Sequence, residues 1–285
     1  MKNLPLSKKL WMLLTKVSAS WPKKKNKMDT HLFGSIIFGP VRSRRLGLSL
    51  GINLLPANKK VCTFDCVYCE CGWTDKTSAD GLPKATEVVA ELEKKLQEMQ
   101  AAGELPDAIT FAGNGEPTMH PDFSFIMRDS VRLRDEYAPA AKITVLTNST
   151  QLHKQKIADA IALADKGLLK LDTTDPKQFE LINRAAKGIE LNEVMHFIEQ
   201  FTGEKIIQTL VLRGDSEGEK IDNTTEESLL ALAAFVSKID AIEWMIYPID
   251  RPTPEKQLEK MSREEMDRIG EFVRKHTNVP VTIRY

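Results

Sequence analysis

Apolar residues stand at every second position from Leu46 to Leu54: Leu46, Leu48, Leu50, Ile52 and Leu54. A period of two puts one face of a strand against a core. From Thr86 the period changes. Val89, Leu92, Leu96 and Met99 repeat at helical spacing until Gly103 stops them. The same alternation then continues along the chain. Strands are predicted at 109–112, 142–146, 168–171, 206–212 and 242–247, with a last one at 279–283. Helices are predicted at 121–137, 151–166 (ended by Gly167), 191–201 (ended by Gly203) and 225–238. Ser262 and Glu265 are spaced as a capping box for a final helix. Strands alternating with helices build parallel βαβ units. Six strands counted from Leu46 before the final helix suit an α/β fold, an incomplete barrel of six β/α units. Such barrels carry their chemistry at the C-terminal ends of the strands.

Composition adds little to this until its distribution is considered. The 285 residues are 42% hydrophobic and 28% charged, with 40 basic and 40 acidic residues. That is ordinary globular composition, sufficient for a sizeable core. Eight lysines and no acid fall in the first 27 residues, leaving 32 basic against 40 acidic residues beyond them. We therefore expect a basic extension over 1–30 on a mildly acidic domain over 31–285. Lys23, Lys24, Lys25 and Lys27 suit either a solvated tail or a nucleic-acid contact, and Met28 is an alternative start. The short apolar run at 10–14 does not make a signal peptide. No run of about 18 apolar residues is present to cross a membrane. A cytoplasmic setting is expected.

All four cysteines lie within ten positions: Cys62, Cys66, Cys69 and Cys71. Thiols this close converge on one metal centre, since the loop itself brings the sulfurs together. The first three are spaced C-x3-C-x2-C, with Phe64 and Tyr68 among them. That spacing suits a 4Fe–4S cluster on three thiolates, leaving one iron open where four cysteines would close it. Zinc on four thiolates is the competing reading. It usually takes two separated C-x2-C pairs, and a second pair is missing here.

C-x3-C-x2-C with an aromatic before the last cysteine resembles the radical S-adenosylmethionine (SAM) enzymes. The resemblance implies a 4Fe–4S cluster on Cys62, Cys66 and Cys69, with SAM chelated at the open iron. Reductive cleavage of SAM then yields a 5′-deoxyadenosyl radical. Cys71 is expected to hold no iron. Tyr68 joins the SAM site in that family. Gly113-Asn114-Gly115-Glu116-Pro117 resembles its G-G-E-P segment, which holds the SAM amino group. That role passes to Gly115 and Glu116, while Asn114 departs from the pattern. An ordinary turn is the alternative for this segment.

Other candidates stand at predicted strand ends. Thr147-Asn148-Ser149 reads equally as a helix N-cap and as a polar pair toward SAM, with Asn148 the residue chosen. Asp172, beside Lys170, is a candidate for the ribose hydroxyls or the substrate. Arg213 and Arg251 are candidates for anionic groups of a substrate, since guanidinium offers a planar fork. Arg42, Arg44 and Arg45 suit phosphate, or simply a solvated charge run. Of the five histidines, only His120 stands at the same mouth.

Phe38 to Gly47, Gly113 to Thr118, Ile182-Asn183-Arg184 and Ile249 to Pro252 together resemble the iron–sulfur oxidoreductase branch that includes the wyosine-forming tRNA enzymes. Those enzymes carry a second cluster on upstream cysteines, and no cysteine precedes Cys62. The resemblance implies an oxidoreductase-type radical enzyme, an electron donor such as flavodoxin or ferredoxin, and tRNA or a phosphorylated molecule as substrate. Two alternatives remain: a zinc-stabilised binding module without redox chemistry, and an activase of a glycyl-radical enzyme.

Overall fold

The structure is a computed structural model that describes residues 31–43, 46–74 and 81–285. The predicted basic extension, Arg44 and Arg45 lie outside the described residues. Eleven strands are described: β1 (Ile37–Ser43), β2 (Gly47–Ile52), β3 (Ala108–Phe111), β4 (Lys142–Thr147), β5 (Lys166–Lys170), β6 (Lys205–Val211), β7 (Arg213–Ser216), β8 (Glu219–Asp222), β9 (Glu243–Pro248), β10 (Leu258–Glu259) and β11 (Val281–Ile283). The helices are α1 (Ala85–Ala102), α2 (Phe123–Tyr137), α3 (Gln155–Ile161), α4 (Pro176–Asn183), α5 (Leu191–Gln200), α6 (Glu226–Lys238) and α7 (Arg263–Arg274).

One sheet runs in the order β1-β2-β3-β4-β5-β6-β9-β11. From β2 onward every pairing is parallel. The six strands predicted from periodicity are β2, β3, β4, β5, β6 and β9. They lie side by side in chain order, as successive βαβ units dictate. Strand β11 adds a seventh parallel strand. The edges β1 and β11 do not pair with each other, so the barrel stays open. Strand β1, antiparallel to β2, was not foreseen: its sequence IFGPVRS does not alternate. Among the described residues, no helix is long and apolar enough to cross a membrane.

Register sorts the side chains onto two faces. Leu50, Ile109, Ile143, Leu169, Ile207 and Trp244 face the helices and belong to the main core. The opposite face carries Thr110, Thr144, Leu168, Lys170, Gln208 and Met245, by the pairings Thr110↔Thr144, Lys170↔Gln208 and Gln208↔Met245. On it Leu168, Ile206 and Met245 form a small separate cluster with Leu146 against it.

Three predictions need correction. The helix expected over 151–166 is only α3, and Gly167 is not its stop. Gly167 is buried within β5, where an added Cβ would press on the Glu204 carbonyl at 3.3 Å. Close packing of strand on neighbour explains that glycine. On α1 the buried stripe runs through Val88, not Val89. Helix α4 and the three-stranded sheet β10-β7-β8 were not predicted. Helix α4 has the start signal Asp175-Pro176, whose aspartate caps Gln178 N, but at eight residues it is too short to show a period.

Candidate active site

The cysteine loop leaves β2 and is stitched to two later segments. Val61 N donates to Asn114 O at 2.9 Å, and Glu116 N returns a bond to Val61 O at 3.1 Å. These bonds bring the turn after β3 against the first cysteine. Gly115 makes the approach possible: with φ at 133° it carries no Cβ, which would lie 1.9 Å from Val61 O. On the other side Asp65 N donates to Asn183 O, Val67 N to Ile182 O, and Ala186 N to Thr63 O. The turn after β3 and the end of α4 thus clamp the loop from two sides.

Asn114, the departure from G-G-E-P, has a structural reason. It is fully buried. Its amide donates to Phe33 O and Pro56 O and accepts from Phe33 N at 2.8 Å. A glycine would leave those backbone groups without these partners.

Two of the first three cysteine sulfurs meet a side-chain N–H donor, and a buried ammonium stands at the entry to the loop. Asn148 Nδ2 lies 3.6 Å from Cys62 Sγ and also donates to Thr63 Oγ1. Asn183 Nδ2 lies 3.5 Å from Cys66 Sγ and also donates to Asp172 Oδ2. The Lys60 ammonium donates to Gly72 O at 3.1 Å and pairs with Asp65 at 3.5 Å. Cys71 is not remote from this group. Its thiol contacts Cys69 and lies 3.4 Å from Gly113 O.

The thiols differ in charge because their surroundings differ. Burial pushes Cys62 up to about 12, and Cys66 is likewise raised by burial. Cys69 falls to about 5, chiefly through the hydrogen bond from Cys71, with the Lys60 charge adding to it. Cys71 is raised in turn by that bond. Burial alone would lower Lys60, but Cys69, Cys62, Cys66 and Asp65 outweigh it and its pKa is raised. Cys62 and Cys66 would therefore surrender protons on binding iron.

Glu116 stands at the centre of the polar turn and is buried. Oε1 accepts from Thr118 and from Thr147 Oγ1 at 2.8 Å; Oε2 accepts from Asn148 N at 2.6 Å. Burial nevertheless raises its pKa. A carboxylate has about four acceptor positions, so Oε2 keeps room for a cationic donor.

Asp172 has four protein partners. Its carboxylate accepts from Tyr68 Oη, from Asn183 Nδ2 at 2.7 Å, from Lys170 Nζ at 3.4 Å and from Leu210 N at 3.0 Å. Those four donors occupy it. Lys170 also lies over the Tyr68 ring, 4.8 Å from its centroid. Tyr68 itself is buried, with its hydroxyl between Lys170 and Asp172.

The arginines divide. Arg213 pairs with Glu259 and Glu265 at 2.6 and 2.7 Å, and Arg251 with Glu70 at 2.6 Å. Both candidates for anion binding pair with carboxylates at the surface, where their side chains are 40% and 54% exposed. Arg42 is exposed on the edge strand β1. His120 accepts from Asp122 N at Nδ1 and donates from Nε2 to Pro83 O at 2.9 Å. Both ring nitrogens are used, which makes it a clip between loops. Sequence reasoning missed Lys60 and the sulfur contact of Asn183. Neither has a local signal: a lysine beside a lysine and an asparagine at a helix end are commonplace.

Among the described residues, no three His, Cys, Asp or Glu side chains converge as ligands of a single ion. A tetrahedral zinc site would need its sulfurs about 3.8 Å apart, from a Zn–S distance of about 2.3 Å. A cluster with each thiolate on its own iron needs no such convergence.

Comparison with known proteins follows the same line. The profile of the Radical SAM superfamily matches residues 60–226. The chain is 34% identical over 232 residues to UPF0026 protein slr1464 of Synechocystis, covering 79% of this chain and 78% of that one. In structure it is similar to Streptococcus suis SuiB bound to S-adenosylmethionine, with a TM-score of 0.59 at 16% identity. That match covers 82% of this chain and half the length of SuiB. TYW1 with a lysine-pyruvate adduct bound is similar at a TM-score of 0.53 and 13% identity, covering 80% of this chain and 74% of that chain. At those identities the two structures speak for the fold alone.

Proposed function

The chain belongs to the radical SAM superfamily, and on that premise we propose an enzyme in which Cys62, Cys66 and Cys69 hold the 4Fe–4S cluster and Glu116 receives the SAM ammonium. The superfamily's cofactors are a 4Fe–4S cluster and SAM. When bound, they supply reductive cleavage of SAM to a 5′-deoxyadenosyl radical, which takes hydrogen from a substrate.

The observation that carries the reading is the convergence of two turns. The cysteine loop after β2 and Glu116 after β3 are joined by backbone bonds through Val61. That places a buried acceptor beside the thiols without any contribution from mobile side chains. The chain's own residues do three things. Asn148 and Asn183 turn N–H groups toward Cys62 and Cys66, and Lys60 adds a buried charge beside the loop. Thr118, Thr147 and Asn148 N hold the Glu116 carboxylate in place. Tyr68, Lys170 and Asp172 form one bonded group that Asn183 links to Cys66.

Anaerobic purification and reconstitution test this. A brown protein with about four irons per chain, converting SAM to 5′-deoxyadenosine and methionine under dithionite, is expected. A colourless protein with one tightly held zinc overturns the reading in favour of a binding module. In the cell a carrier such as flavodoxin or ferredoxin would deliver the electron. A phosphate-bearing substrate such as RNA is assigned to Arg42, Arg44 and Arg45, of which the last two lie outside the described residues.

Glu116→Ala should weaken SAM binding by about 1.5–3 kcal/mol, the size of one hydrogen bond to a charged group. That is roughly 10- to 150-fold in Kd, measured by calorimetry on the reconstituted protein. An unchanged Kd removes Glu116 from the SAM site.

A further inference from the structure

The cysteine loop has surroundings that cluster binding by itself does not require. Cys62 and Cys66 each have one side-chain N–H donor, Lys60 adds a buried ammonium at the entry to the loop, and the three groups come from different parts of the chain. Lys60 precedes the loop, Asn148 follows β4, and Asn183 ends α4. Each of the three is also held by a partner that is not sulfur. Asn148 splits its amide hydrogens between Thr63 Oγ1 at 2.7 Å and Cys62 Sγ, while its carbonyl accepts from Thr150 N at 3.1 Å. Asn183 splits its hydrogens between Asp172 at 2.7 Å and Cys66 Sγ. Lys60 is anchored on Gly72 O and is 2% exposed. The amide orientations are thus set by oxygen partners, and the hydrogens left over face sulfur.

An iron–sulfur cluster's potential depends on net charge, hydrogen bonds to its sulfurs and exposure to water. One-electron reduction adds a negative charge that spreads onto the thiolates. N–H dipoles and an ammonium fixed in a buried, low-dielectric setting stabilise that added charge more than water-exposed ones would. Lys60 is the strongest of the three, because it brings a full, buried charge two positions before Cys62.

We propose that Lys60, Asn148 and Asn183 form a donor cage around the cysteine sulfurs that raises the cluster's reduction potential and so makes it reducible by a low-potential one-electron donor. This rests on the cluster assignment above. It places Asn148 on the sulfur side of the site and acts through the cysteines, without touching substrate.

The test is an EPR-monitored redox titration of the reconstituted protein, with dithionite as reductant, alongside iron analysis. Lys60→Met should keep its iron and lower the ratio of reduced to oxidised cluster at a fixed solution potential by at least tenfold, or 59 mV for a one-electron couple. Lys60→Arg should recover most of that loss. Asn148→Ala and Asn183→Ala should each lower the ratio about threefold. A wild-type midpoint in all four variants, with iron retained, overturns the cage and leaves the cluster assignment standing. If Lys60→Met loses its iron, the two asparagine variants decide: unchanged midpoints overturn the proposal and lowered ones support it. A wild-type chain that takes up no four-iron cluster overturns the cage together with the reading beneath it.

Discussion

Cys62→Ala, Cys66→Ala and Cys69→Ala should each lose the iron and all cleavage of SAM, while Cys71→Ala should keep both. The expectation follows from how few ligands the centre has. A 4Fe–4S cluster normally takes four thiolates, and leaving one iron open for SAM already reduces the protein's share to three. Removing a further sulfur exposes a second iron. Cys71 is close enough to be confused with a ligand, since its thiol contacts Cys69 and lies 3.4 Å from Gly113 O. The C-x3-C-x2-C spacing, however, already supplies three thiolates without it, and a fourth would close the iron that SAM needs open. Iron per chain and 5′-deoxyadenosine formed under dithionite are the two readouts. Loss of iron from Cys71→Ala with retention in Cys62→Ala would exchange those two residues in the ligand set.

The second large effect concerns folding. Asp172→Ala should destabilise the protein by about 3–5 kcal/mol, the range for removing one partner of a buried ion pair. The Asp172 side chain is wholly buried and that of Lys170 nearly so, at 0% and 19% exposure, with 3.4 Å between the charges. Losing the carboxylate strands the Lys170 ammonium. It also leaves Asn183 Nδ2 and Leu210 N without the acceptor they now share. Cysteine loop, β5, α4 and β6 all meet at this one group, so the cost is not confined to a single contact. Asp172→Asn keeps an acceptor and should cost less. Urea denaturation of both variants without iron measures the effect. A change below about 1 kcal/mol for Asp172→Ala would mean that water enters and resolvates Lys170.

The outcome at Asp172 shows where the sequence was legible and where it was not. From the sequence, Asp172 is a carboxylate at a strand end, a candidate for the ribose hydroxyls or the substrate, with nothing to show its protein partners. In the structure four donors from the cysteine loop, β5, α4 and β6 meet at it. The carboxylate partners of Arg213 and Arg251, namely Glu259, Glu265 and Glu70, were equally invisible in the sequence. His120 stood at the expected mouth as well, with both ring nitrogens in use.

Local order is what the sequence determined by itself. Periods of two and of 3.6 depend on neighbours a few positions apart, so six parallel strands and most of the helices between them could be read directly. The cysteines could be read for the same reason, since C-x3-C-x2-C gathers its sulfurs within one short loop, and Glu116 is marked by the glycines before it. Tertiary structure alone decided which donors the sulfurs meet and which carboxylates stay free. Those choices depend on the register between strands. Asn148 lies 86 residues from Cys62 and Asn183 lies 117 from Cys66, and only the packed sheet brings them within reach. A hydrogen bond has no period along the chain, so its partner becomes known only when the chain has folded.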